Sequence, residues 1–188
     1  MSRSTRFLML CSLPVVLAFA LWVLWQARGS SGNAVWAKDA WFWTHVGFLC
    51  VALSGLVMAV LSALLYLWQS YQLKSKHPDR TFFKLPALDT LEKIHFRALA
   101  AGVVFFSLGI LSGFFWAKET KELPEALKDP MVALSFLTCI LYWVILSVRL
   151  SALRRGQKIA ASTVFVFVLL FVILMSTFYF PSGFHKGF

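Results

Sequence analysis

Residues 44–69 read THVGFLCVALSGLVMAVLSALLYLWQ, a run without a single Asp, Glu, Lys or Arg. About 20 apolar residues in a helix cross the hydrocarbon core of a bilayer. This run, extended back to Trp43, is longer than that, so it should tilt or project past the lipid. Hydrophobic residues make up 60% of the 188 and charged residues only 14%. A chain of this length cannot hide so much apolar surface in a soluble core, so lipid must be the solvent for much of it.

Four more apolar runs flank this one. They predict an all-α, polytopic membrane protein: a single membrane domain over residues 1–188, built as a five-helix transmembrane bundle. The expected spans are 7–25, 43–69, 96–116, 131–148 and 160–180. The first, preceded by Arg3 and Arg6, exceeds the usual signal-peptide core, so it reads as an uncleaved helix bent at Pro14. Asp89 and Glu92 in LDTLEK have capping-box spacing. Asp129-Pro130 offers an N-cap followed by proline at the first helical position, opening the fourth span.

The formal charge of +10 is spread over short loops, which marks topology rather than nucleic-acid binding. Twelve basic residues, among them Arg3, Arg6, Lys74, Arg97, Arg149 and Lys158, fall on one side of the expected spans and six on the other. That asymmetry predicts a cytoplasmic N-terminus and, after five crossings, an outer C-terminus. Cys11, Cys50 and Cys139 lie in separate runs with no CxxC or CxxCH, so neither a disulfide framework nor covalent haem attachment is indicated. Ala98, Gly102, Gly109 and Gly113 share one face of the third span, and Ala52, Gly55, Ala59 and Ser62 one face of the second. Close backbone approach between these helices is expected.

The topology divides the four histidines. His77 and His95 belong to the inner side, His45 and His185 to the outer. Pro181 ends the last helix and Gly183 lets the tail FPSGFHKGF fold back. Four residues from Pro181 reach at most about 14 Å, enough to return toward a neighbouring helix mouth. If the second and fifth helices are close, His45 and His185 can face one another across an iron. Six of the eight tryptophans, including Trp36, Trp41, Trp43 and Trp116, crowd the same side. Either they form an interfacial aromatic belt or they wall a flat apolar macrocycle, with Lys38, Arg28 or Lys186 for its propionates. Two histidines make a poor zinc site. The acidic residues Glu119, Glu122, Glu125 and Asp129 read as a solvated loop.

Three stretches resemble the cytochrome c assembly family of haem-handling membrane proteins. LPALDTLEKIHFRALAAGVVFFSLGILSGFFWAKE, residues 85–119, is similar to the family's cytoplasmic leader and the helix climbing to its haem-binding loop. THVGFLCVALSGLVMAVLSALLYLWQ resembles the preceding helix with its outer histidine, and FPSGFHKGF the tail that brings the second. The resemblance implies His45 and His185 as axial ligands of a non-covalent, b-type haem. Trp41, Trp43, Trp116, Lys38 and Lys186 would surround it.

The chain departs from the pattern after WAKE, where the family's tryptophans and WDPKE give way to TKELPEALKDPMVAL. It also departs at Ser147, which stands where the family carries a histidine. This resembles the reduced branch linked to haem biosynthesis, and implies an accessory or haem-transfer role rather than a complete synthetase. Trp36, Trp41 and Trp43 are candidates to replace the lost roof. Implied partners are membrane lipid, haem and another membrane or periplasmic cytochrome assembly protein, with no nucleic acid, in a bacterial inner membrane. Two alternatives stay open: a haem-free scaffold or regulator, and a b-type cytochrome subunit for electron transfer.

Overall fold

The computed structural model describes residues 40–75, 87–120, 123–151 and 156–179, with Leu17 and Leu21 as isolated helical positions. Apart from those two leucines, the expected first span lies outside the described residues. The described chain is helical, with no strand: α1 (Ala40–Ser75), α2 (Leu88–Glu119), a single turn α3 (Leu123–Ala126), α4 (Pro130–Leu150) and α5 (Gln157–Tyr179). The four long helices are each long and apolar enough to cross a membrane, and the chain is a multi-pass membrane protein. At 1.5 Å per residue, α1 is about 54 Å long and α2 about 48 Å, well beyond the hydrocarbon core of about 30 Å. Both therefore project past it.

Several hydroxyl side chains of the long helices are satisfied within their own turns. Ser62, Ser107, Thr138 and Thr163 each donate a hydroxyl to the carbonyl four residues earlier. In lipid, where water is absent, that removes the penalty of an unpaired donor.

Small residues bring α1 and α2 together, as the stripes predict. A Cβ on Gly55 would lie 3.0 Å from the Cα and N of Gly102 and 3.2 Å from the carbonyl oxygen of Ala98. Backbone meets backbone there, and only glycine allows it. The core continues from this crossing through Leu56, Leu99, Val103, Tyr142, Ile145 and Leu170, drawing in α4 and α5. Across the α2–α4 contact, Trp143 Nε1 donates to Ser107 Oγ at 2.9 Å. Ser107 Oγ also lies 3.5 Å from Cys139 Sγ, and both described cysteines, Cys50 and Cys139, are free thiols.

The helix ends follow local chemistry, with one departure. Asp129 caps α4, its Oδ1 accepting from Met131 N at 2.9 Å with Pro130 following. The expected capping box at Asp89 and Glu92 does not form. Helix α2 begins two residues earlier, with Ala87 at the N-cap position, which makes no side-chain cap bond. Asp89 pairs instead with Lys93 one turn on, at 2.7 Å. Glu92 is taken by Arg149 of α4, also at 2.7 Å. At the start of α5, Gly156 has φ of 88°, and a Cβ there would lie 2.9 Å from the Tyr66 hydroxyl. The next residue, Gln157, accepts from Lys74 Nζ at 2.9 Å and donates to Ser70 Oγ. These contacts dock α5 on the end of α1.

Candidate functional site

His45 sits in the second turn of α1, half-buried, with its ring laid against α2. Two glycines make that seat. A Cβ at Gly113 would lie 2.8 Å from His45 Cε1 and 2.9 Å from Nδ1, and one at Gly109 would lie 2.7 Å from Leu49 Cδ2. With no side chains there, the imidazole reaches the backbone, and Nδ1 lies 2.7 Å from the Gly109 carbonyl oxygen. A carbonyl only accepts, so Nδ1 carries the proton and Nε2 the lone pair. Histidines that ligate metals are commonly oriented in this way, by a backbone acceptor on the other ring nitrogen.

His45 also lines an apolar cavity of about 210 Å³ between α1, α2, α4 and α5. On α1 its wall descends from His45 through Leu49 and Leu53 to Leu56, about three turns or 16 Å. Phe106, Phe114 and Trp116 come from α2, and Met131 from α4. The short α3 contributes Leu123 and Ala126, so aliphatic side chains stand where the resemblance leads one to expect tryptophans.

Of the expected site residues, the structure brings His45 and Trp116 to one cavity. Trp41 and Trp43 do not line it. Trp41 stacks on Phe115 at 5.5 Å between ring centroids. Trp43 meets Phe42 edge-on at 5.3 Å, and Phe42 in turn meets Trp116 at 5.4 Å. An aromatic chain thus joins the end of α1 to the cavity wall. His185, Lys38, Lys186 and Trp36 lie outside the described residues. Gly109 and Gly113 belong to the small-residue face that, from the sequence, is expected to meet the backbone of a neighbouring helix; here they seat Leu49 and the His45 ring. Phe106, Phe114 and Met131 carry no sequence signal for a cavity wall, because it takes several crossing helices to make one.

The opposite end of the bundle holds His95, 4% exposed. Its Nε2 lies 3.1 Å from Thr163 Oγ1, whose own proton goes to Ile159 O. Thr163 is therefore the acceptor and His95 Nε2–H the donor. Beside it run the Glu92–Arg149 pair and the Phe96 ring, 5.7 Å below the guanidinium. A void of only about 10 Å³ separates His95, Glu92, Arg149 and Tyr66, room for one water at most. Among the described residues, no group of three His, Cys, Asp or Glu converges as a metal site.

A family model described as Cytochrome C assembly protein matches residues 2–185. The chain is similar to a "Cytochrome c biogenesis protein CcsA" of Prochlorococcus marinus strain MIT 9301, with 29% identity over 177 residues, covering 82% of this chain and 57% of that protein. One from Guillardia theta is 23% identical over 164 residues, covering 79% and 54%, and one from Arabis hirsuta 30% identical over 92 residues, covering 48% and 28%. The chain thus spans little more than half the length of the first two. No solved structure matches it. A match over nearly its whole length, on a bundle of membrane-crossing helices, places the chain in the cytochrome c assembly protein family.

Proposed function

We propose that the chain handles haem in the membrane during cytochrome c assembly, at an outer-face site where His45 and His185 would hold the iron. One observation carries the reading: an imidazole whose Nδ1–H is anchored on a backbone carbonyl stands at the wall of an apolar cavity. An imidazole on an apolar wall suits a non-covalent, b-type haem, an apolar macrocycle whose iron accepts imidazole nitrogen. The cavity volume of about 210 Å³ lies below the roughly 300–1,000 Å³ of small-molecule pockets, so it would take an edge of the macrocycle rather than all of it. When bound, haem supplies the iron centre. The chain's own residues then orient and shield it. His45 would hold the iron through Nε2, and Trp116 and Phe114, which line the cavity, would exclude water; Trp41, Trp43, Lys38 and Lys186 are the candidates to shield the macrocycle edge and neutralise the propionates. The charge asymmetry of the loops supports an outward-facing His45 end and an inward-facing His95 end. Another membrane or periplasmic assembly protein would receive or deliver the haem.

The test is a visible-range spectrum of gently solubilised protein, before and after dithionite. His45→Ala and His185→Ala should each abolish a low-spin haem signature. An unchanged spectrum in either would refute that ligand.

The small cavity and the aliphatic α3 wall also favour a second reading, a haem-free scaffold or regulator. A colourless wild-type protein that co-purifies with a haem-synthesis enzyme or an assembly factor would select it.

A further inference from the structure

The carbonyl that orients His45 serves a second side chain. Ser112 Oγ donates to the same Gly109 oxygen at 2.8 Å, against 2.7 Å for His45 Nδ1. Ser112 is buried, 4% exposed, so water does not compete for its proton. In a regular helix that carbonyl also accepts the N–H four residues on. Three donors then share two lone pairs, and the bond to His45 is weaker than it would be alone.

We propose that Ser112 is a positioning residue that sets the donor strength of His45 toward iron, with Gly113 keeping the ring in place; this rests on the haem reading of the same site. The stronger the Nδ1–H bond, the more electron density Nε2 delivers and the more ferric iron is favoured over ferrous. Ser112 draws part of the Gly109 carbonyl away and so holds that effect back. Gly113 acts in the opposite sense. Its missing Cβ lets the ring approach, and a methyl within 2.9 Å of Nδ1 would push the ring off its acceptor.

Two substitutions therefore shift the haem potential in opposite directions, which a general packing defect does not do. Spectroelectrochemical titration of the purified full chain reads this. Ser112→Ala should keep the wild-type haem content and move the midpoint negative, by several-fold up to about tenfold in ferric preference, where tenfold is ~59 mV for one electron. Ser112→Thr, which retains a hydroxyl able to bond back into the helix, should restore the wild-type value. Gly113→Ala should move the midpoint positive or lose the low-spin signature. If Ser112→Ala does not fold, Ser112→Cys, a weaker donor, should give a smaller shift of the same sign.

Equal potentials for wild type and Ser112→Ala, or shifts of one sign in both variants, would overturn the proposal while leaving the haem site standing. Retention of the haem spectrum by His45→Ala would remove the site reading and this inference together.

Discussion

His45 and His95 lie at opposite ends of the same pair of helices, and they are held by opposite ring nitrogens. His45 gives its Nδ1 proton to a backbone carbonyl and stands beside open apolar space. His95 gives its Nε2 proton to Thr163 and is packed with an ion pair around a void of one water's size. One end keeps room for a guest, and the other uses its polar groups to close on itself. The residue type is the same in both places. What differs is whether the partner is a carbonyl exposed by absent side chains or a hydroxyl already committed to its own helix.

Gly55 lies at the crossing between the two ends and supports both. Gly55→Leu would drive a side chain into the backbone of Gly102, which cannot retreat. It should cost about 3 kcal/mol or more and abolish the contrast by loosening both ends; the thermal aggregation midpoint in detergent measures it. Next in size, His95→Ala should cost about 2–3 kcal/mol through a buried cavity and a lost hydrogen bond. It should leave any haem absorbance intact. His45→Ala should do the reverse, losing the absorbance for about 1 kcal/mol of stability. If the two variants exchange these phenotypes, the roles assigned to the two ends are wrong.

Much of the bundle was legible from composition. Hydropathy located the spans because it reports contact with lipid, and the helices α1, α2, α4 and α5 contain or nearly match them. It under-read their ends, such as 88–95 of α2, because those turns are held by charged and polar contacts. The Asp129 cap was legible because its partner is two residues away. The Asp89–Glu92 box was not, since Arg149, fifty-seven positions on, claims the glutamate. The glycine stripe of α2 was half understood. Gly102 meets backbone as expected, whereas Gly113 meets an imidazole, and spacing alone cannot tell a helix from a ring. His45 was legible as a candidate through the family resemblance, but its acceptor and its cavity are products of tertiary packing.

Smaller effects refine the picture of the closed end. Arg149→Met leaves Glu92 without its partner and should cost about 2 kcal/mol, because the pair is only 12% and 25% exposed. Adding Glu92→Gln should recover most of that loss, and denaturant titration of the double variant checks it. The smallest change concerns Tyr142, fully buried, whose hydroxyl makes no hydrogen bond among the described residues. Tyr142→Phe removes that penalty and should be neutral or stabilising by up to about 1 kcal/mol. A clear loss of stability would mean that the hydroxyl has a partner.

The bond from Trp143 to Ser107 has a practical consequence. It ties α4 to α2, two of the cavity's walls, and its indole is 43% exposed. The indole is thus a built-in optical gauge of how far apart those two helices stand. Its emission colour should report the making or parting of that bond, and a nearby porphyrin should quench it.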